Sequence, residues 1–176
     1  MRRAAAILAC ALVSGAALAA DTGWLSPSNE YRSSATDPEY AYSSNNERAT
    51  IELETVLCLH AFGAAIPDGS TIDGIEVAVE GKGLDAPPVA VAGPEKECAS
   101  PASAKEYELG IVVDVTVVHG ASDDLWSDIW SASDINSTDF GVFVNNLATN
   151  EYPVLIDHVK VKIYYTPPSV RTRRMF

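Results

Sequence analysis

Between Asp123 and Val144 the chain reads DDLWSDIWSASDINSTDFGVFV, which sets Trp126 and Trp130 four residues apart among carboxylates and small hydroxyl side chains. Residues at that interval share a face in a strand, and nearly so in one helical turn, so spacing alone does not choose a backbone. Three uses fit. Two indoles on one face can stack on pyranose rings while Asp134 and Asn136 bond the sugar hydroxyls, a carbohydrate-binding surface built from Trp126, Trp130, Asp134 and Asn136. Asp123, Asp124, Asp128, Asp134 and Asp139 could offer oxygen ligands to Ca²⁺, but they match no EF-hand spacing, and loop carboxylates on an acidic chain are usually solvated. In the third use both indoles close the open end of a β-domain, each removing about 150–250 Å² from water, while Asp134 and Asn136 satisfy backbone donors in the turn. The third is the expectation adopted.

Other reactive constellations are thin. His60, His119 and His158 form no H-E-x-x-H pattern, so nothing marks a zinc site. Asp157 beside His158 is the one suggestive pair, yet a triad needs a nucleophile on a strained turn, and GASDD at Gly120–Asp124 is not G-x-S-x-G. GKG at Gly81–Gly83 lacks the spacing of a phosphate loop. With 24 acidic residues, carboxylate pairs at glycosidase separation are expected by chance. The expectation is no catalytic residue, no cofactor and no metal.

The setting follows from the start of the chain. MRRAAAILACALVSGAALAA has a basic start, an apolar middle and small residues at the end, the layout of a secretory signal cleaved after Ala19 or Ala20. The apolar run is shorter than the roughly 20 residues that span a bilayer, so no membrane span is expected once it is removed. Loss of Arg2 and Arg3 moves the formal charge from −12 to −14, the wrong sign for a phosphate backbone, and excludes nucleic acid as a partner. Cys10 leaves with the signal. Cys58 and Cys98 remain, and in a protein placed outside the cell or in the bacterial envelope an even count points to a disulfide.

Alternation and punctuation give an all-β domain. Residues 21–48 hold scattered aromatics without helical or strand period and read as an extended lead-in, which Tyr31, Tyr40 and Tyr42 could pin to the body. Ile51 to His60 reads as one half-buried strand, with Leu53, Leu57 and Leu59 inward and Cys58 and His60 on the outward face with Glu52 and Glu54. A turn at Pro67–Gly69 leads into a strand carrying Ile75, Val77 and Val79. Residues 81–105, with four prolines, read as a long loop with one short edge strand at Val89–Val91. EYELGIVVDVTVVHG reads as one strand, FGVFV as another, and LIDHVKVKIYYT as the last, with Val159, Val161 and Ile163 opposite Lys160 and Lys162. The economical architecture is a single antiparallel β-sandwich, jelly-roll-like, over 49–166, followed by a basic tail at 167–176 with Arg171, Arg173 and Arg174.

IPDGSTIDGIEVAVEG, DLWSDIWSASDINSTDFGVFV and IDHVKVKIYYT, in this order, resemble a β-sandwich family of phage virion or tail-associated proteins and exported bacterial proteins. The matching positions are Pro67, Gly69, Ile72, Gly74, Ile75 and Val77, then Trp126, Trp130, Asp134, Ile135, Asn136 and Phe140–Val142, and finally Asp157, His158 and Tyr164–Thr166. The resemblance implies a structural or surface role and brings no catalytic residues with it. An export signal, a cysteine pair and a heavier acidic load depart from the plain pattern and favour a secreted or envelope protein over a capsid part. The expected function is therefore a non-catalytic structural or adhesive surface protein. Its partners would be further copies of itself or other surface proteins, with glycan as the alternative ligand.

Overall fold

The computed structural model describes residues 18–84, 89–101, 103–147 and 152–169. The expectations for residues 1–17 of the export signal and for Arg171, Arg173 and Arg174 fall outside these residues. Among the described residues ten strands, a 3-10 turn (Pro38–Ala41, between β2 and β3) and one short α-helix follow in order: β1 (Ala20–Asp21), β2 (Asn29–Glu30), β3 (Ala49–Ile51), β4 (Val56–His60), β5 (Thr71–Gly83), β6 (Val89–Lys96), β7 (Lys105–Glu108), β8 (Val115–Ala121), α1 (Ala132–Asn136), β9 (Phe140–Asn146) and β10 (Val154–Thr166).

The strands form two antiparallel sheets. One runs β10-β5-β8 with β1 and β3 both on the far edge of β10, and the other runs β2-β4-β9-β6-β7. The pairs β3–β10, β4–β9, β5–β8 and β6–β7 form one antiparallel ribbon. The β10–β5 and β9–β6 ladders close it over itself. This is jelly-roll wiring, two Greek keys sharing one interior. Branched aliphatic residues such as Leu57, Leu59, Val77, Val79, Val142 and Val161 fill that interior with no exposure to solvent. Each alternates with an outward polar or small neighbour, which a strand of period 2 requires when one face meets the other sheet.

Two stretches that read as single strands are each broken where the chain passes from one sheet to the other. Ile51 ends β3 on β10, a turn at Glu52–Thr55 follows, and β4 then pairs with β9. Leu53, assigned to the interior by parity, sits in that turn and is 48% exposed. Likewise Tyr107 belongs to β7 and Val117 to β8, with a bend at Gly110 where a Cβ would lie 2.4 Å from the Val113 carbonyl oxygen. The short edge strand expected at Val89–Val91 is instead an eight-residue internal strand, β6, between β9 and β7. Pro94 fits within it because β7 stops opposite Ala92, so the ladder is one-sided from Gly93 onward.

The lead-in is ordered against the body. Leu25 bridges Val161, Tyr42 bridges His158, and Thr36 bridges Thr50, while Tyr31 N–H donates to Cys58. The buried Asp157 carboxylate accepts the backbone N–H groups of Asn45 and Asn46 at 3.2 and 2.9 Å. Residues 20–46 thereby cover the side of the sandwich where β10, β3 and β4 have their open edges.

Candidate functional site

The segment Ser122–Asp139 crosses one end of the sandwich and closes it. Trp126 is 2% exposed and donates its indole N–H to the Ile75 carbonyl at 2.8 Å; Trp130, 7% exposed, donates to Leu125 at 3.0 Å. An indole carries one donor, and burying it unpaired would offset much of the ring's gain, so these two bonds fix where each ring can lie. Trp130 packs edge-on against Phe140 at 5.6 Å. A lysine stands over each indole: Lys105 Nζ is 4.1 Å from the Trp126 ring centre and Lys96 Nζ is 4.6 Å from that of Trp130. Rings so enclosed present no open platform to a sugar, which is where the stacking alternative meets the geometry.

Asp134 and Asn136 are equally engaged. Ser131 caps α1: its hydroxyl accepts from Asp134 N–H at 3.1 Å, and the Asp134 carboxylate accepts from Ser131 N–H at 2.9 Å, a reciprocal capping box. Asn136 clasps the backbone of Ile66, accepting its N–H and donating to its carbonyl, both at 2.8 Å. Replacing Ser131 by alanine should cost about 1 kcal/mol, read as a shift of the chemical-denaturation midpoint with unchanged slope.

Three of the five carboxylates considered for calcium, Asp124, Asp128 and Asp134, are drawn to separate partners. Asp124 pairs with Lys105 and accepts the Trp126 N–H at 2.8 Å; burial opposes its charge, but those two donors outweigh it and hold the carboxyl below its ordinary range. Asp134 is held low in the same way, by Ser131 and Lys96 against burial. Asp128 accepts from Ile129 N–H. Among the described residues no three His, Cys, Asp or Glu side chains converge as a metal shell.

Asp157 and His158 part company across a bulge in β10. The Asp157 carboxylate serves Asn45 and Asn46, whereas His158 Nε2 lies 2.9 Å from the exposed Ser26 hydroxyl. Burial first, and then Lys160, push the His158 pKa down. This Ser–His contact joins the lead-in to β10.

The most unusual polar arrangement lies on the outer face of the other sheet, which sequence parity assigned to solvent. Cys58 and His60 do face outward from β4, but Cys58 is 0% and His60 2% exposed. Strand register explains why. His60, Gly141 and Glu95 stand in one row across β4, β9 and β6, and Gly141 has no side chain to separate the other two. His60 Nε2 and Glu95 Oε1 meet at 2.7 Å directly over it; a Cβ on Gly141 would lie 2.5 Å from the carboxylate oxygen and 2.7 Å from the ring. The Cys58–Cys98 disulfide, with Cα atoms 5.6 Å apart, draws the 97–101 loop across this row, and Glu95 Oε2 accepts the Ala99 N–H at 3.1 Å. Tyr31 of the lead-in tilts over the imidazole, ring centres 5.7 Å apart. Burial pulls the His60 pKa down, but the Glu95 contact, the Thr138 carbonyl and Asp139 outweigh it and raise the pKa above its ordinary value.

Comparison with protein-family models and with curated proteins gives no match. Among solved structures, the chain is similar to the coat protein of Tobacco streak virus, at 8% identity and a TM-score of 0.35, with 89% of this chain and 92% of that chain covered. So loose an overlap assigns no role.

Sequence reasoning missed Glu95, Gly141 and Tyr31 as companions of His60. One signal was present: His60 shares its face with Cys58, and a bridge from Cys58 must bring the neighbourhood of Cys98, including Glu95, over that face.

Proposed function

We propose that this chain is a non-catalytic, exported structural or adhesive protein, a subunit of an assembly outside the cell. The observation that carries the reading is the distribution of exposed apolar residues. The described residues of the connections β3–β4, β5–β6, β7–β8 and β9–β10 gather at the end of the sandwich opposite the tryptophans. They expose Leu53 (48%), Leu84 (51%), Val112 (77%), Val113 (71%), Leu147 (47%) and Tyr152 (43%). An apolar end on so acidic a chain suits contact with another macromolecule rather than with water or a small solute. The disulfide suits an oxidising compartment. The groups with chemical potential support the same reading from the other side, since Trp126, Trp130, Asp134, Asn136, His60 and Glu95 are all engaged in holding the fold.

Sedimentation velocity and negative-stain electron microscopy on the purified full chain test this. The expected result is concentration-dependent assembly and no retardation in polysaccharide gels. A monomer at all concentrations that is retarded by a polysaccharide would sink the proposal in favour of sugar binding.

A further inference from the structure

We infer that strand β8 is an interface between two copies of this chain, pairing antiparallel with the β8 of the second copy about a two-fold axis at Val118. The inference rests on the assembly reading above and names the surface.

The two sides of the sandwich are finished differently. On one, the lead-in bridges β10, β3 and β4. On the other, β8 pairs with β5 along one edge, and among the described residues nothing pairs with its second edge. Seven residues of strand thus offer alternate N–H and C=O groups outward, a template for another strand. Two usual protections are missing from it, and its one irregular residue, Gly120 at φ 92°, lies next to its end. The stretch Leu109–Ala121 contains neither lysine nor proline, and Val112, Val113, Val115 and Val118 are 77%, 71%, 40% and 46% exposed.

Charge selects the occupant. The chain as a whole is at −12, so two copies repel except along a neutral seam. Leu109–Ala121 is such a seam: its one carboxylate, Asp114, is held by Arg48 of the same chain through Nε at 3.0 Å and through the second guanidinium nitrogen. Next to the seam, Glu76 of β5 is paired with Lys162 at 2.7 Å, which leaves Glu80, opposite Thr116, as the one carboxylate of β5 beside it without an ion pair among the described residues. A basic partner would be steered to the acidic remainder of the surface, whereas a second β8 finds apolar side chains and an unpaired backbone that match its own. The two-fold arrangement sets Val118 opposite Val118, Val117 opposite His119 and Val115 opposite Ala121 of the second copy, so each contact is made twice.

The test uses the full chain and two variants. Val118 lies on the outer face opposite Ala78, so Val118→Lys leaves the core intact, which an unchanged near-UV circular dichroism spectrum verifies. It sets two ammonium groups against each other across the axis and should weaken the dimer by about tenfold or more in sedimentation equilibrium. Opposed Cα atoms in an antiparallel pair are about 4.5–5.5 Å apart, within the span of a disulfide, so Val118→Cys should cross-link two copies under mild oxidation. A monomeric wild-type chain overturns the inference. Assembly that persists in Val118→Lys, or a Val118→Cys chain that forms no cross-linked dimer, overturns it while leaving the assembly reading in place.

Discussion

Breaking the Cys58–Cys98 bridge should cost about 4 kcal/mol of folding stability, from the chain entropy released by a closed loop of about 40 residues. For a domain whose whole net stability is about 5–15 kcal/mol, that is a large share. At about 2–4 °C per kcal/mol for a chain of this size, the melting midpoint should fall by about 8–16 °C on reduction or in a Cys58→Ser, Cys98→Ser double variant. The loss should exceed what an ordinary surface crosslink gives, because the bridge also seats the 97–101 loop over His60 and Glu95. Melting followed by circular dichroism with and without reductant checks this. A midpoint that moves by no more than about a degree would mean that the loop is held without its bridge.

The second large effect belongs to Glu95. Its carboxylate serves both the His60 ring and the Ala99 N–H from a position 1% exposed, so Glu95→Ala leaves a buried imidazole and a part-buried backbone donor unmatched and should cost about 3 kcal/mol or more. Glu95→Gln, which keeps an acceptor and the volume, should recover part of this. The loss should not add to that of the missing disulfide, since both act through one loop. The pair also sets a pH dependence. A base whose folded pKa is raised contributes stability that is complete below its unfolded value, about 6.5, and is lost as pH rises through the folded value, so the stability that His60 contributes should fall as pH rises above about 6.5. His158 has its folded pKa lowered and acts in the opposite sense: its penalty is absent above about 6.5 and grows as pH falls through the depressed value. Together the two histidines should give a stability maximum near the ordinary imidazole pKa. His60→Gln should flatten the alkaline limb alone, and urea titrations from pH 5 to about pH 9 would show whether it does.

How much of this could be read from the sequence depends on what each signal measures. In β10 and β5 alternation marks the buried face correctly, Val159, Val161 and Ile163 against Lys160 and Lys162, because both strands are long and one face meets solvent or the lead-in. Alternation fails at Glu52–Thr55 and at Gly110. Ile51 and Leu57 belong to different sheets, yet both point into the same interior, so parity survives the corner and conceals it. The disulfide followed from counting. The His60–Glu95 row did not, because 35 residues separate its members and what joins them is the missing side chain of Gly141, a fact that appears only when register is known. Spacing left the tryptophans open between platform and packing, and two N–H groups with single carbonyl partners now account for both rings.

The lead-in also sets an order of events. Ala20 and Asp21 align with Tyr165 and Tyr164, and Leu25 with Val161, so these early residues of the body find their neighbours only after about 140 further residues have been made. Contacts of such sequence separation form slowly and late. The side of the sandwich carrying β10, β3 and β4 therefore stays open until β10 has been made, and any truncation before Thr166 would leave residues 20–46 with an incomplete strand to dock on.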